Sequence, residues 1–289
     1  MTARPFAGRT VMVLGAAGGI GEATARRLAA LGARVVLGGL EAARLRRIAD
    51  ELIATRAAVL AQRVDVTDAS ELGWIRDLSV RAYGAVDAVV NCAAVLAPGP
   101  VDRLTDADVR RQIETNLLGT VLVTRVFLPL FRRQGRGHFV HIASLGGIVP
   151  LPDSAVYSAT KFGVRGFCLA MALELRGTGI EVTAVCPDSV DTPQLRIEAV
   201  GGGASLSFTS PPMTPAVVAS AICHTLLHPR AEVLVPGARG VLAKLLAFSP
   251  ALFGLLHPAL DRRGRRGRDR YLGWRYEPAL LLQRNEVEP

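Results

Sequence analysis

Three side chains between Ser144 and Lys161 have the types and the spacing of a proton-transfer site. Tyr157 follows Ser144 by thirteen residues, and Lys161 follows Tyr157 by four. From Ser154 onward the apolar residues recur with a helical period, so Tyr157 and Lys161 lie on one face of the predicted helix. The run before Ser144, residues 138–143, alternates like a strand. We therefore expect the serine where a buried strand ends.

The chemistry that these residues allow is acid–base catalysis at a tyrosine. A phenol titrates near ~10 and is a poor base at neutral pH unless its anion is stabilised. A neighbouring ammonium such as that of Lys161 favours the phenolate, and reaching neutrality requires roughly 3–4 kcal/mol of stabilisation. Ser144 would supply a hydroxyl that holds the substrate oxygen as charge develops on it. The spacing alone also fits three ordinary helix and surface residues, since short patterns often arise by chance.

A glycine-rich turn near the start of the chain predicts a phosphate site. The apolar run Thr10–Leu14 leads into a cluster of glycines, and a helix with Leu28 and Leu31 on its inner face follows. Glycines let backbone N–H groups approach an anion at a helix N-terminus, as in dinucleotide-binding folds. A signal peptide is the competing interpretation of the apolar residues 11–20, but glycine interrupts that run and no clear cleavage site follows.

Strands and helices alternate along the chain, which predicts one α/β domain. A chain of 289 residues that is 50% hydrophobic can bury one large core. The predicted strands are residues 10–14, 33–37, 57–64, 86–90, 138–143, 180–186 and 232–235. Helices are predicted between them, including a long one that runs from a capping box at Thr105 to about Arg133. This order specifies a single Rossmann-like, doubly wound parallel sheet with helices on both faces.

Taken together, the motifs over about residues 8–236 resemble those of the short-chain dehydrogenase/reductase family. The matching residues are Gly15, Gly19, Gly21, Asp65, Asn91, Asn116, Ser144, Tyr157 and Lys161. The resemblance implies an NAD(P)-dependent oxidoreductase that interconverts an alcohol and a ketone or aldehyde. It implies that Tyr157 is the acid/base and that Lys161 lowers the tyrosine pKa and binds the nicotinamide ribose. It also implies that Asn116 bends its helix and holds a water linked to Lys161.

The resemblance further implies which residues hold the coenzyme, with Asp65 at the adenine and Thr192 at the nicotinamide carboxamide. The implied set is Gly15, Gly19, Ile20, Gly21, Asp65, Val66, Asn91, Ala93, Tyr157, Lys161, Pro187, Val190 and Thr192. Four positions depart from the family pattern, namely Leu14 in place of threonine, Cys92 in place of asparagine, and Ala94 and Asp188 in place of glycine. None of these changes removes a catalytic group, so we expect an active enzyme.

The end of the second strand bears on the choice of coenzyme. NAD-type members tend to carry an acid there, which binds the ribose hydroxyls and repels a 2′-phosphate. This chain has Gly38-Gly39-Leu40, and Glu41 is two residues late. Arg44 or Arg9 would be the cation for a phosphate, although either also fits a solvated charge. Since nothing evident repels the phosphate, we expect NADP in preference to NAD.

Two segments follow the catalytic helix. Residues 187–215 are the substrate lid implied by the resemblance. Their glycines and prolines predict a mobile lid rather than a packed element, and their apolar residues favour an apolar substrate. The catalytic domain is expected to span residues 1–236, and residues 237–289 form an apolar and then arginine-rich helical extension.

The extension allows two interpretations. Residues 241–260 are apolar but broken by a lysine and two prolines, so a membrane span is excluded. Residues 262–270 carry six arginines and one aspartate, a net +5 in a chain of net charge +9. Peripheral contact of residues 241–270 with an anionic membrane is one interpretation. Packing over the substrate pocket or a neighbouring subunit is the other. Nucleic-acid binding is not expected, because the cluster is short and lacks interleaved aromatic residues.

The remaining composition points to a reducing compartment and to no metal. Four cysteines are widely spaced without a C-x-x-C pair, which favours free thiols in a cytoplasmic protein. A peripheral position at the membrane is the alternative localisation. His224 and His228 are four residues apart, but no acidic third ligand accompanies them. His138 and His141 are expected to be strand residues. We expect a homo-oligomer with a small-molecule alcohol or carbonyl substrate.

Two other functions fit parts of the pattern. A catalytically silent NAD(P)-binding scaffold would keep the glycine turn but has no need of Asn116, Ser144, Tyr157 and Lys161. A nucleotide-sugar epimerase or dehydratase would keep the fold, but those relatives usually carry a larger C-terminal substrate domain.

Overall fold

The computed structural model describes residues 4–276, which form a seven-stranded parallel sheet with helices on both faces. The strands are β1 (Thr10–Leu14), β2 (Arg34–Gly39), β3 (Val59–Arg63), β4 (Ala88–Asn91), β5 (Gly137–Ile142), β6 (Ile180–Pro187) and β7 (Glu232–Val235). Their order in the sheet is β3-β2-β1-β4-β5-β6-β7. The Rossmann-like fold class and all seven predicted strands are confirmed.

The helices follow the predicted alternation. They are α1 (Gly19–Ala30), α2 (Ala42–Ala54), α3 (Ala69–Tyr83), α4 (Asp106–Gln112), α5 (Gly119–Gln134), α6 (Ala155–Glu174), α7 (Pro193–Val200), α8 (Pro215–Leu227), α9 (Gly237–Ala247) and α10 (Pro250–Tyr276). Successive strand residues face opposite sides of the sheet, so each strand contributes to two cores. Val11 and Val13 pack with α1, α2 and α8, whereas Met12 and Leu14 pack with α3, α5 and α6.

A π-helical segment, Ile113–Leu118, joins α4 to α5 in one continuous helix. The capping box at its start is confirmed, since Thr105 and Asp108 exchange hydrogen bonds between side chain and backbone. The helix Asp106–Gln134 is long and apolar enough to cross a membrane, but Val123, Phe127 and other residues of α5 lie buried in the core. Its apolar character is thus that of a core helix. The π turn changes the helical register at Asn116, as the bend implied by the resemblance requires.

The lid is a packed element, which differs from the expectation of an unpacked segment, whereas its mobility stays a prediction. It contains α7 and a 3₁₀ turn, Ser205–Phe208, and both contribute buried side chains. Helix α10 packs directly on this turn. A Cβ atom at Gly264 would lie 2.1 Å from the carbonyl oxygen of Ser205. The lid is packed because the C-terminal extension covers it at backbone contact distance.

Candidate active site

One cavity of about 540 Å³ opens at the carboxyl edge of the sheet. This is where open α/β sheets bind ligands. Nine of the residues predicted for the site line it, namely Gly19, Ile20, Gly21, Ser144, Tyr157, Lys161, Pro187, Val190 and Thr192. The structure therefore brings the glycine turn, the serine–tyrosine–lysine set and the start of the lid to one place.

The glycine turn has the shape of a cradle for a pyrophosphate. Gly15 has φ +70°, and a Cβ atom there would lie 2.6 Å from the backbone nitrogen of Ala93. A Cβ atom at Gly21 would lie 2.2 Å from the carbonyl oxygen of Gly15. Helix α1 begins at Gly19, and no side chain caps it. Its first N–H groups are thus available to an anion, and the turn fits a dinucleotide.

Leu14, one of the departures from the family pattern, is matched by a glycine on the neighbouring strand. It is fully buried and pairs in register with Gly38. A Cβ atom at Gly38 would lie 2.7 Å from Cδ2 of Leu14. The glycine at the end of β2 therefore accommodates a leucine at this position.

Two asparagines that were predicted for the site form hydrogen bonds next to the cavity. Asn116 donates from Nδ2 to the carbonyl oxygen of Val95 (2.9 Å) and accepts at Oδ1 from the Val95 nitrogen (2.8 Å). Its Nδ2 also donates to Oγ1 of Thr160 (3.1 Å), on the helix of Tyr157 and Lys161. Asn91 accepts at Oδ1 from the Ala93 nitrogen (3.1 Å). These bonds fix the backbone between the glycine turn and α6.

Asp65 and Val66 do not line the cavity. Asp65 accepts at Oδ1 from the nitrogen (2.9 Å) and the hydroxyl (2.7 Å) of Thr67, and Val66 is buried in the core. The adenine role implied for Asp65 stays a prediction.

The catalytic pair lies on α6, with Tyr157 and Lys161 both buried. The Lys161 ammonium lies 5.5 Å from the centroid of the Tyr157 ring. Its Nζ donates to the carbonyl oxygen of Ile142 at 2.7 Å, at the end of β5. Ser144, two residues after Ile142, accepts at Oγ from the Gly146 nitrogen at 3.0 Å. The predicted strand-end serine and same-face helix pair are therefore both present.

Burial is the main cause of the pKa shifts of Tyr157 and Lys161. It raises the pKa of Tyr157 above its usual range, and the charge of Glu198 acts in the same direction. Hydrogen bonds with Gln194 and Ser144 lower the Tyr157 pKa by less. Burial lowers the pKa of Lys161 to about 8. Tyr157 is thus a neutral phenol at pH 7 in the protein alone, and the expected lowering of its pKa by Lys161 stays a prediction.

Glu198 is a site residue that the sequence did not reveal. It lies on the inner face of α7, lines the cavity and is 6% exposed. Its Oε1 accepts from the Ser207 hydroxyl at 2.9 Å. Burial raises the pKa of Glu198 to about 7. Glu198 is the one acidic residue of α7, which was the available signal, but the sequence does not show which face of α7 turns inward.

Asp188, another departure from the family pattern, is neutralised by the extension. Its carboxylate lies 2.5 Å from Nε of Arg239 on α9, and both side chains line the cavity. Arg239 also donates to Oγ1 of Thr209 at 2.8 Å. Burial raises the pKa of Asp188, and the charge of Arg239 lowers it. Arg239 thus joins the start of the lid, the end of the lid and the extension.

The histidines do not contribute to the cavity. His138 and His141 are buried in β5, where burial lowers their pKa values to about 4 and about 3. His224 and His228 are exposed at the end of α8, with ring centroids 4.8 Å apart. Within residues 4–276, no group of three metal-ligating side chains occurs.

Comparison with known families matches this geometry. The profile of the short chain dehydrogenase family matches residues 9–198, more than half of the chain. The chain belongs to the short-chain dehydrogenase/reductase family. It is an oxidoreductase that acts on alcohol groups with NAD(P), as the names of its relatives indicate. The profile ends within α7, so most of the lid and the whole extension lie outside it.

Relatives and solved structures agree on the family. The chain is 37% identical over 191 residues to 1-deoxy-11-beta-hydroxypentalenate dehydrogenase of Streptomyces exfoliatus, covering 65% of this chain and 70% of the relative. It is 33% identical to an uncharacterized oxidoreductase of Staphylococcus haemolyticus, covering 77% and 92%. Levodione reductase superposes with a TM-score of 0.76 at 25% identity, covering 82% and 99%. A dehydrogenase of Burkholderia phymatum in complex with NAD has TM-score 0.76 at 25% identity, covering 83% and 93%.

Proposed function

We propose that this protein interconverts an apolar alcohol and its ketone or aldehyde, with Tyr157 as the acid/base. The observation that carries the proposal is the convergence of Ser144, Tyr157 and Lys161 with the glycine turn in one cavity. The coenzyme, when bound, supplies the hydride donor or acceptor and, when oxidised, one positive charge. Gly19, the neighbouring turn residues and Lys161 would hold it there.

The protein's own part in the reaction is a proton transfer at the hydroxyl of Tyr157. In the direction of reduction, the neutral phenol donates its proton to the carbonyl oxygen of the substrate. This is the form that burial favours, so reduction needs no prior ionisation of Tyr157. The hydroxyl of Ser144 donates a hydrogen bond to the same oxygen as it becomes negative. Lys161, held by the Ile142 carbonyl, keeps a positive charge beside the phenolate that results.

The walls of the cavity favour a largely apolar substrate with one hydrogen-bond donor. The apolar lining includes Leu145, Val149, Leu151, Leu206, Leu242, Leu246 and Phe253. Glu198 interrupts the apolar lining with a buried carboxyl that accepts from Ser207 at one oxygen. A hydroxyl or amine on the substrate would pair with it, because a buried carboxyl is favourable only with a hydrogen-bond partner.

We further propose NADP as the preferred coenzyme. Leu40, at the end of β2, is 58% exposed and leaves no carboxylate at the position that would repel a 2′-phosphate. Arg44 lines the cavity, as does Glu41 at the start of α2, and Arg44 pairs with Glu22 at 3.1 Å. Its Nε is buried and has no hydrogen-bond partner among the described residues. Comparing kcat/KM for NADPH and NADH tests this, and an NADH preference would contradict it.

The proposed setting is the cytoplasm, and the proposed state is a homo-oligomer. All four cysteines are free, and three of them are buried, which suits a reducing compartment. Large apolar side chains are exposed along the α4–α6 side, namely Ile113, Leu118, Phe162 and Leu173. Their burial against a second copy would remove this surface from water.

Tyr157→Phe tests the proposed reaction. We expect kcat to fall by about 10²–10⁴-fold, because the phenol proton is lost while the ring remains. Coenzyme affinity, measured by fluorescence titration, should stay within about threefold of the native value, a margin set by the small contribution of one hydroxyl. Tyr83→Phe on α3, remote from the cavity, is the matched control. If Tyr157→Phe kept a tenth of native turnover, Tyr157 would not be the acid/base.

A further inference from the structure

The outer side of α9 and of the first half of α10 is an exposed apolar surface. Its side chains, here named the apolar face, are Val241, Leu242, Leu245, Phe248, Leu252, Leu255 and Leu256. Phe248 is 85% exposed and Leu255 is 77% exposed, values that are high for side chains of this size. A contiguous apolar surface of this kind marks an interaction site.

The inner side of α10 is already used. Gly264 and Gly267 contact the 3₁₀ turn at backbone distance, and the Tyr271 hydroxyl donates to Asp191 at 2.9 Å. The lid therefore fixes which side of α10 faces outward. The packing of the extension over the pocket, one of the two interpretations of the sequence, accounts for this inner side and leaves the apolar face uncovered.

The outward side of α10 changes from apolar to basic along its length. Leu255, Arg262 and Arg266 follow one another at helical spacing and are all exposed. Leu252 and Arg262 are ten residues apart, or about 15 Å along the axis. Among the residues that the structure describes, Arg265 is the one arginine of the 262–270 cluster that pairs with a carboxylate, that of Asp261 at 2.8 Å. The other arginines of the cluster keep an uncompensated positive charge.

The apolar face borders the mouth of the active-site cavity. Leu246 and Phe253 line the cavity, and their neighbours Leu245 and Leu252 lie on the apolar face. Leu242 belongs to both, since it lines the cavity and is 56% exposed. A surface that covers the apolar face would therefore lie against the entrance to the cavity.

We propose that this surface binds peripherally to an anionic lipid membrane. The apolar face would enter the boundary between headgroups and acyl chains, while the arginines of α10 contact anionic headgroups about 15 Å further along the helix. Both features are needed, since apolar burial and attraction to anionic lipid act together in such helices. Entry of an apolar substrate from the bilayer is a consequence that rests on the proposed function, whereas membrane binding does not.

Charge complementarity favours a membrane over a second copy of the chain. The described part of the extension carries two acidic residues, Asp261 and Asp269, and Asp261 is already engaged by Ser205 and Arg265. A second copy that packs extension against extension would therefore offer the arginines few carboxylates, whereas an anionic leaflet offers a continuous negative surface. The positive charge thus selects lipid as the occupant.

Vesicle sedimentation with the full chain tests this proposal without any turnover. The probe is vesicles of phosphatidylcholine with about a third phosphatidylglycerol, compared with vesicles of phosphatidylcholine alone, an anionic content chosen to give a strong surface potential. We expect the native protein to pellet with the anionic vesicles and to be released by high salt. Phe248→Asp/Leu255→Asp should lower the partition coefficient at least about tenfold, because it places two charges in the apolar boundary.

Two further variants separate the contributions. Arg262→Ala/Arg266→Ala should weaken binding by about fivefold per arginine on anionic vesicles. Ile53→Asp/Trp74→Asp, at exposed apolar positions of α2 and α3, is the matched control and should bind like the native chain. Equal binding by the Phe248/Leu255 variant and this control would overturn the proposal. So would a concentration-dependent dimer, in analytical ultracentrifugation, that the Phe248/Leu255 variant abolishes while native binding to vesicles is absent.

Discussion

The floor and the roof of the cavity are built in different ways. The floor is Ser144 with Tyr157 and Lys161, and burial shifts the pKa values of its two buried groups, Tyr157 and Lys161. The roof, α7 to the 3₁₀ turn together with α9 and α10, is held by ion pairs and close backbone packing, such as Asp188–Arg239. The floor therefore keeps polar groups in an unfavourable environment because chemistry requires them, whereas the roof, apart from the buried Glu198, contributes shape and stability. Functional sites commonly trade stability in this way.

The family profile matches the floor and ends within α7, at the start of the roof. The matching profile covers residues 9–198 and therefore the whole floor, but it ends before the 3₁₀ turn, α9 and α10. Chemistry is thus the part that this chain shares with its relatives. Most of the roof, from Ala199 onward, lies outside the matched profile.

The largest expected effect separates chemistry from stability in the floor. Lys161→Met should lower kcat by about 10²–10³-fold, because the positive charge beside Tyr157 is lost. The free energy of unfolding should not fall by more than about 1 kcal/mol, since a methionine of similar length replaces an ammonium whose burial is unfavourable. Steady-state kinetics and urea denaturation of the same preparation measure both. If Lys161→Met kept its activity, or lost it only because the protein unfolds, the floor would not trade stability for chemistry.

The second-largest expected effect is a change in how the free energy of unfolding depends on pH, and it comes from Glu198. Burial raises its pKa to about 7, from 4.5 for an unperturbed glutamate. The folded state therefore binds this proton more tightly, so its stabilising contribution is full below pH ~4.5 and is lost as the pH rises through ~7. The difference is at most about 3 kcal/mol.

Glu198→Gln should remove this dependence while keeping an acceptor for Ser207. Between pH 5 and 7.5, the free energy of unfolding from urea titrations should fall more steeply for the native protein than for the variant, as expected from proton linkage. Glu174→Gln, at an exposed position of α6, should retain the native slope. Parallel slopes for Glu198→Gln and the native chain would show that Glu198 is not held protonated in the roof.

The smallest expected effect concerns the ion pair that joins α9 to the lid. Arg239→Ala should lower the free energy of unfolding by about 2 kcal/mol, less than for a fully buried pair because Arg239 is partly exposed. Adding Asp188→Asn should restore part of this loss, since no buried charge is then left unpaired. Arg136→Ala breaks the more exposed pair with Asp87 and should cost less than about 1 kcal/mol. Equal losses for Arg239→Ala and Arg136→Ala would mean that the roof does not depend on this pair.

The floor was predictable from the sequence because its signals are local. The glycine turn, the strand-end serine and the four-residue spacing of Tyr157 and Lys161 each specify a geometry within one element or one turn. The parallel sheet then follows from the alternation of elements. The structure confirms these elements, and it places Asn116 on a π turn and buries it against Val95 and Thr160.

The roof was not predictable, because its contacts join residues far apart in the chain. Nothing in the sequence shows that Arg239 neutralises Asp188, or that the glycines of α10 pack on the turn at Ser205. The lid glycines that suggested mobility instead pack closely within the site, since a Cβ atom at Gly201 would lie 2.3 Å from Cγ of Pro98 and one at Gly203 would lie 2.7 Å from Cγ of Glu198. Glu198 was missed for a related reason, since its environment is set by α7, the 3₁₀ turn and Tyr157 together.

The most direct test of the proposed reaction traces the transferred hydrogen with deuterium instead of measuring a rate. The full-length protein is incubated with reduced NADP or NAD in which both hydrogens at the nicotinamide C4 position are deuterium, together with a panel of apolar ketones. Mass spectrometry of the alcohols should show one deuterium on the former carbonyl carbon with the native protein, and at least about a hundredfold less labelled alcohol over the same time with Tyr157→Phe. Deuterium transfer that is undiminished in Tyr157→Phe, or no labelled alcohol from a native protein shown to bind the coenzyme, would contradict the account.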